Sequence, residues 1–180
     1  MNNTPQIETI HLILRPLMID DAPHFFQYRS DAETNRYQGW IPKCQDDAVM
    51  FISKIAKRFN EPESWYQLAI IHNETKELIG DVGIHFFGVE NKQVEIGCTL
   101  AKKDHGKGYA SEALQSVISY LFDKLDKHRI TTSIDPNNTR SIGLVERLGF
   151  RKEAHFKASL FLHGEWLDDV VYAMLKKEWQ

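Results

Sequence analysis

Eight apolar residues, Ala110, Ala113, Leu114, Val117, Ile118, Leu121, Phe122 and Leu125, follow one another at i, i+3 and i+4 intervals without a break. That is the pattern of a helix with one face buried in a core. Ser111, Glu112, Gln115, Ser119 and Asp123 fill the opposite face. The helix is flanked by "QVEIGCTLA" at 93–101 and "RITTSID" at 129–135. In the first of these, Val94, Ile96, Cys98 and Leu100 alternate with Glu95, Gly97 and Thr99, as strand residues do. Strand, helix and strand in this order require a parallel pair joined by a right-handed crossover.

Other elements surround this unit. "TIHLILR" (9–15) reads as a strand, and "DDAPHFFQYRSD" (20–31) as a helix with Pro23 in its first turn. Val49, Ile52, Ile55, Ala56 and Phe59 predict a helix over 46–59. The runs 65–72 and 78–87, separated by "NETKE", predict a hairpin. A short helix over 138–150 ends near Gly149, and two last strands, about 151–162 and 166–176, flank "HGE". The expected fold is α/β: a twisted mixed sheet, antiparallel before residue 101, in one domain over residues 1–180. With 42% apolar and 26% charged residues, the composition is that of a soluble globular protein. No run is apolar enough to span a bilayer, and no signal segment opens the chain, so a cytoplasmic protein is expected. A net charge of −3 argues against a nucleic-acid partner. Cys44 and Cys98 form neither a disulfide framework nor a metal-ligand pattern, and no metal is expected.

Ahead of the long helix stands "KDHGKGYASEALQ", with Gly106 and Gly108 one residue apart. Amides at a helix N-terminus lack internal partners and carry the positive end of the helix dipole, which suits a phosphate. Gly106 and Gly108 permit close approach, Tyr109 and Ala110 open the helix, Ser111 adds a hydroxyl, and His105 and Lys107 add polar or positive groups. A tight turn that merely starts a packed helix is the competing reading. The spacing fits neither a P-loop nor a dinucleotide fingerprint.

Taken together, "HGKGYASEAL", "NNTRSIGLVERLGF", "IHLILRPLMIDDA", "VEIGCTLA" and "GEWLDDVVYAMLKKEW" resemble the hallmarks of GNAT-superfamily N-acetyltransferases of the RimJ/RimL type, in the family's order. The resemblance implies a sheet of about seven strands with helices on both faces. It also implies a central parallel pair that splays apart to admit acetyl-CoA along Cys98, Thr99 and Leu100, with the pyrophosphate on His105–Ser111. Asn138 would hold the pantetheine arm, or simply cap its helix. Ser141 matches a serine thought to protonate the departing thiolate. Three departures stand out. His105 replaces a glutamine or arginine, Val145 replaces a frequent catalytic tyrosine, and Leu160 falls where a glutamate base is proposed.

Acetyl transfer needs a neutral amine beside a thioester and a stabilised oxyanion. A backbone N–H near Cys98–Leu100 is expected to polarise the carbonyl. Glu95, on the face opposite Val94 and Ile96, is the candidate base; a structural carboxylate is the alternative. Tyr37, Trp40 and Phe86 are the candidate acceptor-binding residues, with Trp65, Tyr66 and Phe87 as further aromatics that a core would also claim. His85 and His155 are lone histidines without a visible partner. The expected partners are acetyl-CoA and a primary amine, attacked directly in a ternary complex. The amine is either a protein N-terminus or a small molecule such as a polyamine, amino compound or antibiotic. A non-catalytic CoA-binding module and a homodimer stay open.

Overall fold

The computed structural model describes residues 5–179. Its eight strands are β1 (Ile7–Glu8), β2 (Leu12–Pro16), β3 (Ser64–His72), β4 (Leu78–Phe87), β5 (Gln93–Leu100), β6 (Arg129–Ile134), β7 (Arg151–Leu162) and β8 (Glu165–Leu175). They form one sheet in the order β1-β2-β3-β4-β5-β6-β8-β7. Every pairing is antiparallel except that of β5 with β6. The two-residue β1 makes the count eight where about seven was expected.

The helices are α1 (Ala22–Arg29), α2 (Gln45–Lys54), α3 (Tyr109–Ser119) and α4 (Thr139–Arg147). α3 continues as a wider π-type turn through Lys124, with Leu125 as its C-cap, so the predicted apolar stripe is helical up to its last residue. Ala113, Leu114, Val117, Ile118, Leu121 and Phe122 are buried against Leu12, Leu68, Ile84, Val94 and Ile130 of the sheet. On the other face, Phe25 and Tyr28 of α1 and Ala48 and Ile52 of α2 pack with Ala69, Ile71 and Leu78. Helices therefore cover both faces.

α2 stops five residues earlier than its apolar spacing predicts. Ile55 turns to extended backbone (φ −63°, ψ 144°), and the Ala56 N–H donates to the Trp65 carbonyl. Phe59 instead packs edge-on against Tyr66 and Phe86, with ring centroids 5.1 Å apart in each case. Here tertiary contact overrides helical periodicity.

The feature that positions a site is the β5–β6 pair. Parallel register holds only for Gln93–Arg129, Val94–Ile130 and Glu95–Thr131. Beyond Glu95, β5 runs on to Leu100 and β6 to Ile134 with no further pairing between them. β6 stays bonded to β8 along its whole length, and β5 to β4. The two halves of the sheet thus diverge from one point, leaving one edge of 96–100 without a strand partner.

Candidate active site

The divergence opens a cavity of about 600 Å³. Glu95, Cys98 and Thr99 line one wall, Ser133 another, and Asn138 and Ser141 of α4 a third, while Tyr37 and Trp40 approach from the α1–α2 connection. Residues far apart in sequence are brought together here. Gly97 faces the same space: a Cβ built on it meets nothing within 4 Å.

Leu100 and the turn 105–111 do not line this cavity. Leu100 is 6% exposed and belongs to the core. Gly106 (φ 75°) and Gly108 (φ 87°) both adopt left-handed backbone, and built Cβ atoms there meet nothing within 4 Å. Crowding therefore does not demand glycine at either place; the backbone conformation does. Gly108 is the N-cap of α3, which leaves the amides of Tyr109, Ala110 and Ser111 in the first helical turn, without intrahelical acceptors. The His105 side chain points back along the chain, its Nε2 lying 2.9 Å from the Leu100 carbonyl oxygen. Lys107 pairs with Asp104 at 2.9 Å. Tyr109 Oη lies 3.0 Å from His72 Nε2. Glu112 accepts from Thr9 Oγ1 and the His11 N–H, at 2.6 and 2.8 Å, tying the helix start to the β1–β2 turn. What the turn offers an anion is its main chain.

At the start of α4, Asn138 Oδ1 accepts from the Ser141 N–H at 3.2 Å, the N-cap that was one of the two roles open to it. The Ser141 hydroxyl has no hydrogen-bond partner among the described residues and borders the cavity. Tyr37 Oη donates to the Asn137 carbonyl at 3.1 Å, bridging to the α4 side of the opening. Trp40 stacks on Phe51 at 4.7 Å and borders the cavity.

Phe86 needs correction. It is fully buried, between Phe59 and the Lys127 ammonium, which sits 4.9 Å from its ring centroid. It points into the α3 core because it shares a strand face with Ile84 and Val82, and so reaches no acceptor. Tyr66 is buried as well. Trp65 is half-exposed and stacks on His85 at 4.8 Å; Phe87 stacks on the same imidazole at 5.2 Å. His155 has a partner after all: its Nε2 lies 2.7 Å from Asp168 Oδ2, on the outer hairpin.

Glu95 is half-buried, and desolvation raises its pKa above the ordinary carboxylate value. Nearby Asp169 adds to that rise and His85 opposes it. Burial pushes the Cys98 thiol up to about 12, so no thiolate nucleophile stands in the cavity at neutral pH. Among the described residues no cluster of His, Cys, Asp and Glu could hold a metal, and no helix is long and apolar enough to cross a membrane.

A family model described as an acetyltransferase (GNAT) domain matches residues 11–151. The chain belongs to the GNAT family. It is 33% identical over 171 residues to p20, an uncharacterised N-acetyltransferase of Bacillus licheniformis, covering 95% of this chain and 96% of that one. A ribosomal protein uS5-alanine N-acetyltransferase of Escherichia coli is 29% identical over 191 residues, with 99% and 95% covered. The crystal structure of a GNAT-family acetyltransferase from Bacillus anthracis has a TM-score of 0.87 and 29% identity, with 97% of this chain and all of that chain covered. The protein is thus an acetyltransferase, and the non-catalytic reading gives way.

Within this GNAT cavity the sequence missed several contributors, Arg29, Gln67 and Ser133 among them. Arg29 and Gln67 border the cavity and both bond Asp81, Arg29 Nε at 3.0 Å. Ser133 also borders it and donates to Asp169 Oδ1 at 2.7 Å. The one legible hint was Asp81, a lone charge inside the apolar run "LIGDVGIHFF".

Proposed function

We propose that this protein moves the acetyl group of acetyl-CoA to the N-terminal α-amine of a polypeptide by direct attack in a ternary complex. The observation that carries the reading is the unpaired edge of β5 beyond Glu95, which leads toward the glycine turn at the start of α3. An extended pantetheine arm can add to such an edge as a strand does. The open space over Gly97, Gly106 and Gly108 leaves room for close approach to main chain, and the α3 amides suit a pyrophosphate. Acetyl-CoA supplies the activated acetyl group. The protein's residues orient it and handle protons.

In this reading Ser141 gives a proton to the leaving sulfur, and Glu95, with its raised pKa, takes one from the amine. Amide groups of 98–100 stabilise the carbonyl oxygen. An α-amine, with a pKa of about 7.7–8.0, is partly neutral near pH 7, whereas a lysine-type amine at about 10.4 is not. A single carboxylate base is better matched to the former. The E. coli relative named for ribosomal protein alanine acetylation, alignable end to end, favours the same choice.

The test is thiol release from acetyl-CoA with a panel of short peptides bearing free N-termini, the same peptides N-blocked but containing lysine, and polyamines. Turnover confined to free N-termini is the expected result. Equal or faster turnover of polyamines would assign the site to small amines instead.

A further inference from the structure

We propose that Asp169 is a positioning residue that prepares Glu95 to accept the acceptor's proton. This rests on the role given to Glu95 above, and it gives a role to a residue on the far side of the split, within the closing hairpin segment.

The sheet register places the two on one face. Glu95 pairs with Thr131 at the last rung of the parallel ladder, so their side chains share a side. Ser133, two residues on, points the same way and borders the cavity with Glu95. Its hydroxyl donates to Asp169 Oδ1 at 2.7 Å, fixing a carboxylate that is only 7% exposed. Among the described residues neither carboxylate has a cationic partner. Arg129 of β6 is engaged by Glu153, and Arg29 of α1 by Asp81. Lys54 of α2 and Asp135 after β6 also border the cavity. His85 of β4 faces Glu95 in register, held between Trp65 and Phe87.

A buried carboxylate beside a partly desolvated one raises the cost of its charge; at Glu95, desolvation acts first, His85 opposes it and Asp169 adds to it. The cost falls on whichever can be relieved by a proton. Asp169 has its Ser133 hydrogen bond; Glu95 has none, so Glu95 is the one that gains proton affinity. Asp169 acts through the field at Glu95.

The experiment compares Asp169→Asn, which keeps the shape and an acceptor for Ser133, with Asp169→Glu, which keeps the charge. The pH profile of kcat/KM is recorded with a weakly basic acceptor such as aminoacetonitrile, so that the amine's own ionisation does not set the ascending limb. Asp169→Asn is expected to move that limb to lower pH by roughly 0.5–1.5 units, and Asp169→Glu to leave it near the wild-type position. The Glu95 carboxyl carbon, titrated by NMR in the protein without substrates, should move in the same direction in Asp169→Asn. An activity loss equal at all pH values, with an unmoved Glu95 titration, would reduce Asp169 to a structural residue and overturn the proposal. A titration that moves while Glu95→Gln keeps the wild-type rate profile would remove Glu95 from the chemistry. That outcome also overturns the proposal, and it does so without touching acetyl-CoA binding or the transfer activity itself.

Discussion

Asp81→Ala is expected to lose about 3–5 kcal/mol of folding stability. Asp81 is fully buried. Arg29 engages both of its oxygens, Nη2 reaching Oδ2 at 2.5 Å and Nε reaching Oδ1 at 3.0 Å. Tyr28 Oη donates to Oδ1 at 2.6 Å and Gln67 to Oδ2. Removing the carboxylate leaves a buried guanidinium with no counter-charge, together with a phenol and an amide whose desolvation is no longer offset. Burial and the adjacent carboxylate both hold the Tyr28 pKa well above its ordinary value, so ionisation of the phenol offers no relief. For a domain of this size the loss corresponds to a melting temperature lower by roughly 6–20 °C. The double variant Arg29→Met with Asp81→Leu should recover much of it, because an apolar replacement of a whole buried pair is often near neutral. Denaturant titration of wild type, single and double variants checks this. A single variant within 1 kcal/mol of wild type would mean that water reaches the cluster.

The second large effect is on catalysis. Ser141→Ala should lower kcat by about 10²-fold or more while changing the KM for acetyl-CoA by no more than a few fold. The hydroxyl is half-buried at the cavity edge and has no partner within the described protein, so its deletion breaks no internal hydrogen bond. The helix cap survives, because Asn138 bonds the Ser141 main-chain N–H and not its side chain. A uniform loss of fold is therefore not an available explanation for a fallen kcat. Steady-state kinetics with acetyl-CoA varied at saturating acceptor measures the split, and an unchanged kcat would give the leaving-group proton another source.

Much of this was legible before any coordinates. The stripe from Ala110 to Leu125 and the strands on either side of it fixed the crossover, and the alternation in 93–100 assigned Glu95 to the face opposite Val94. The helix ending near Gly149 was equally plain, though the sequence left Asn138 open between cap and cofactor contact. What escaped was whatever depends on partners distant in sequence. Periodicity predicted α2 to Phe59, but the pairing of Ala56 with Trp65 ends it at Lys54. Phe86 could not be separated from a pocket aromatic, because β4 is buried on both faces from Leu78 to Ile84 and shows no alternation there. Arg29 reads as an ordinary helix terminus until Asp81, 52 residues on, is laid beneath it. Asp168 and Asp169 are adjacent and identical in type. Only the pairing of the strands turns Asp168 toward His155 and Lys157 of the outer hairpin and Asp169 toward Ser133 of β6.

The measurement closest to the centre of the account is calorimetric titration of CoA into the purified protein and into Gly108→Val. The wild type should bind one equivalent. A valine at φ 87° is strained by about 1–2 kcal/mol in left-handed backbone and places side-chain bulk where main chain would meet the phosphates, so Gly108→Val should bind at least about tenfold more weakly while remaining folded. No heat with the wild type, or equal affinity in the two proteins, would contradict the assignment of the β5–β6 cleft and the α3 N-terminus to a thioester carrier.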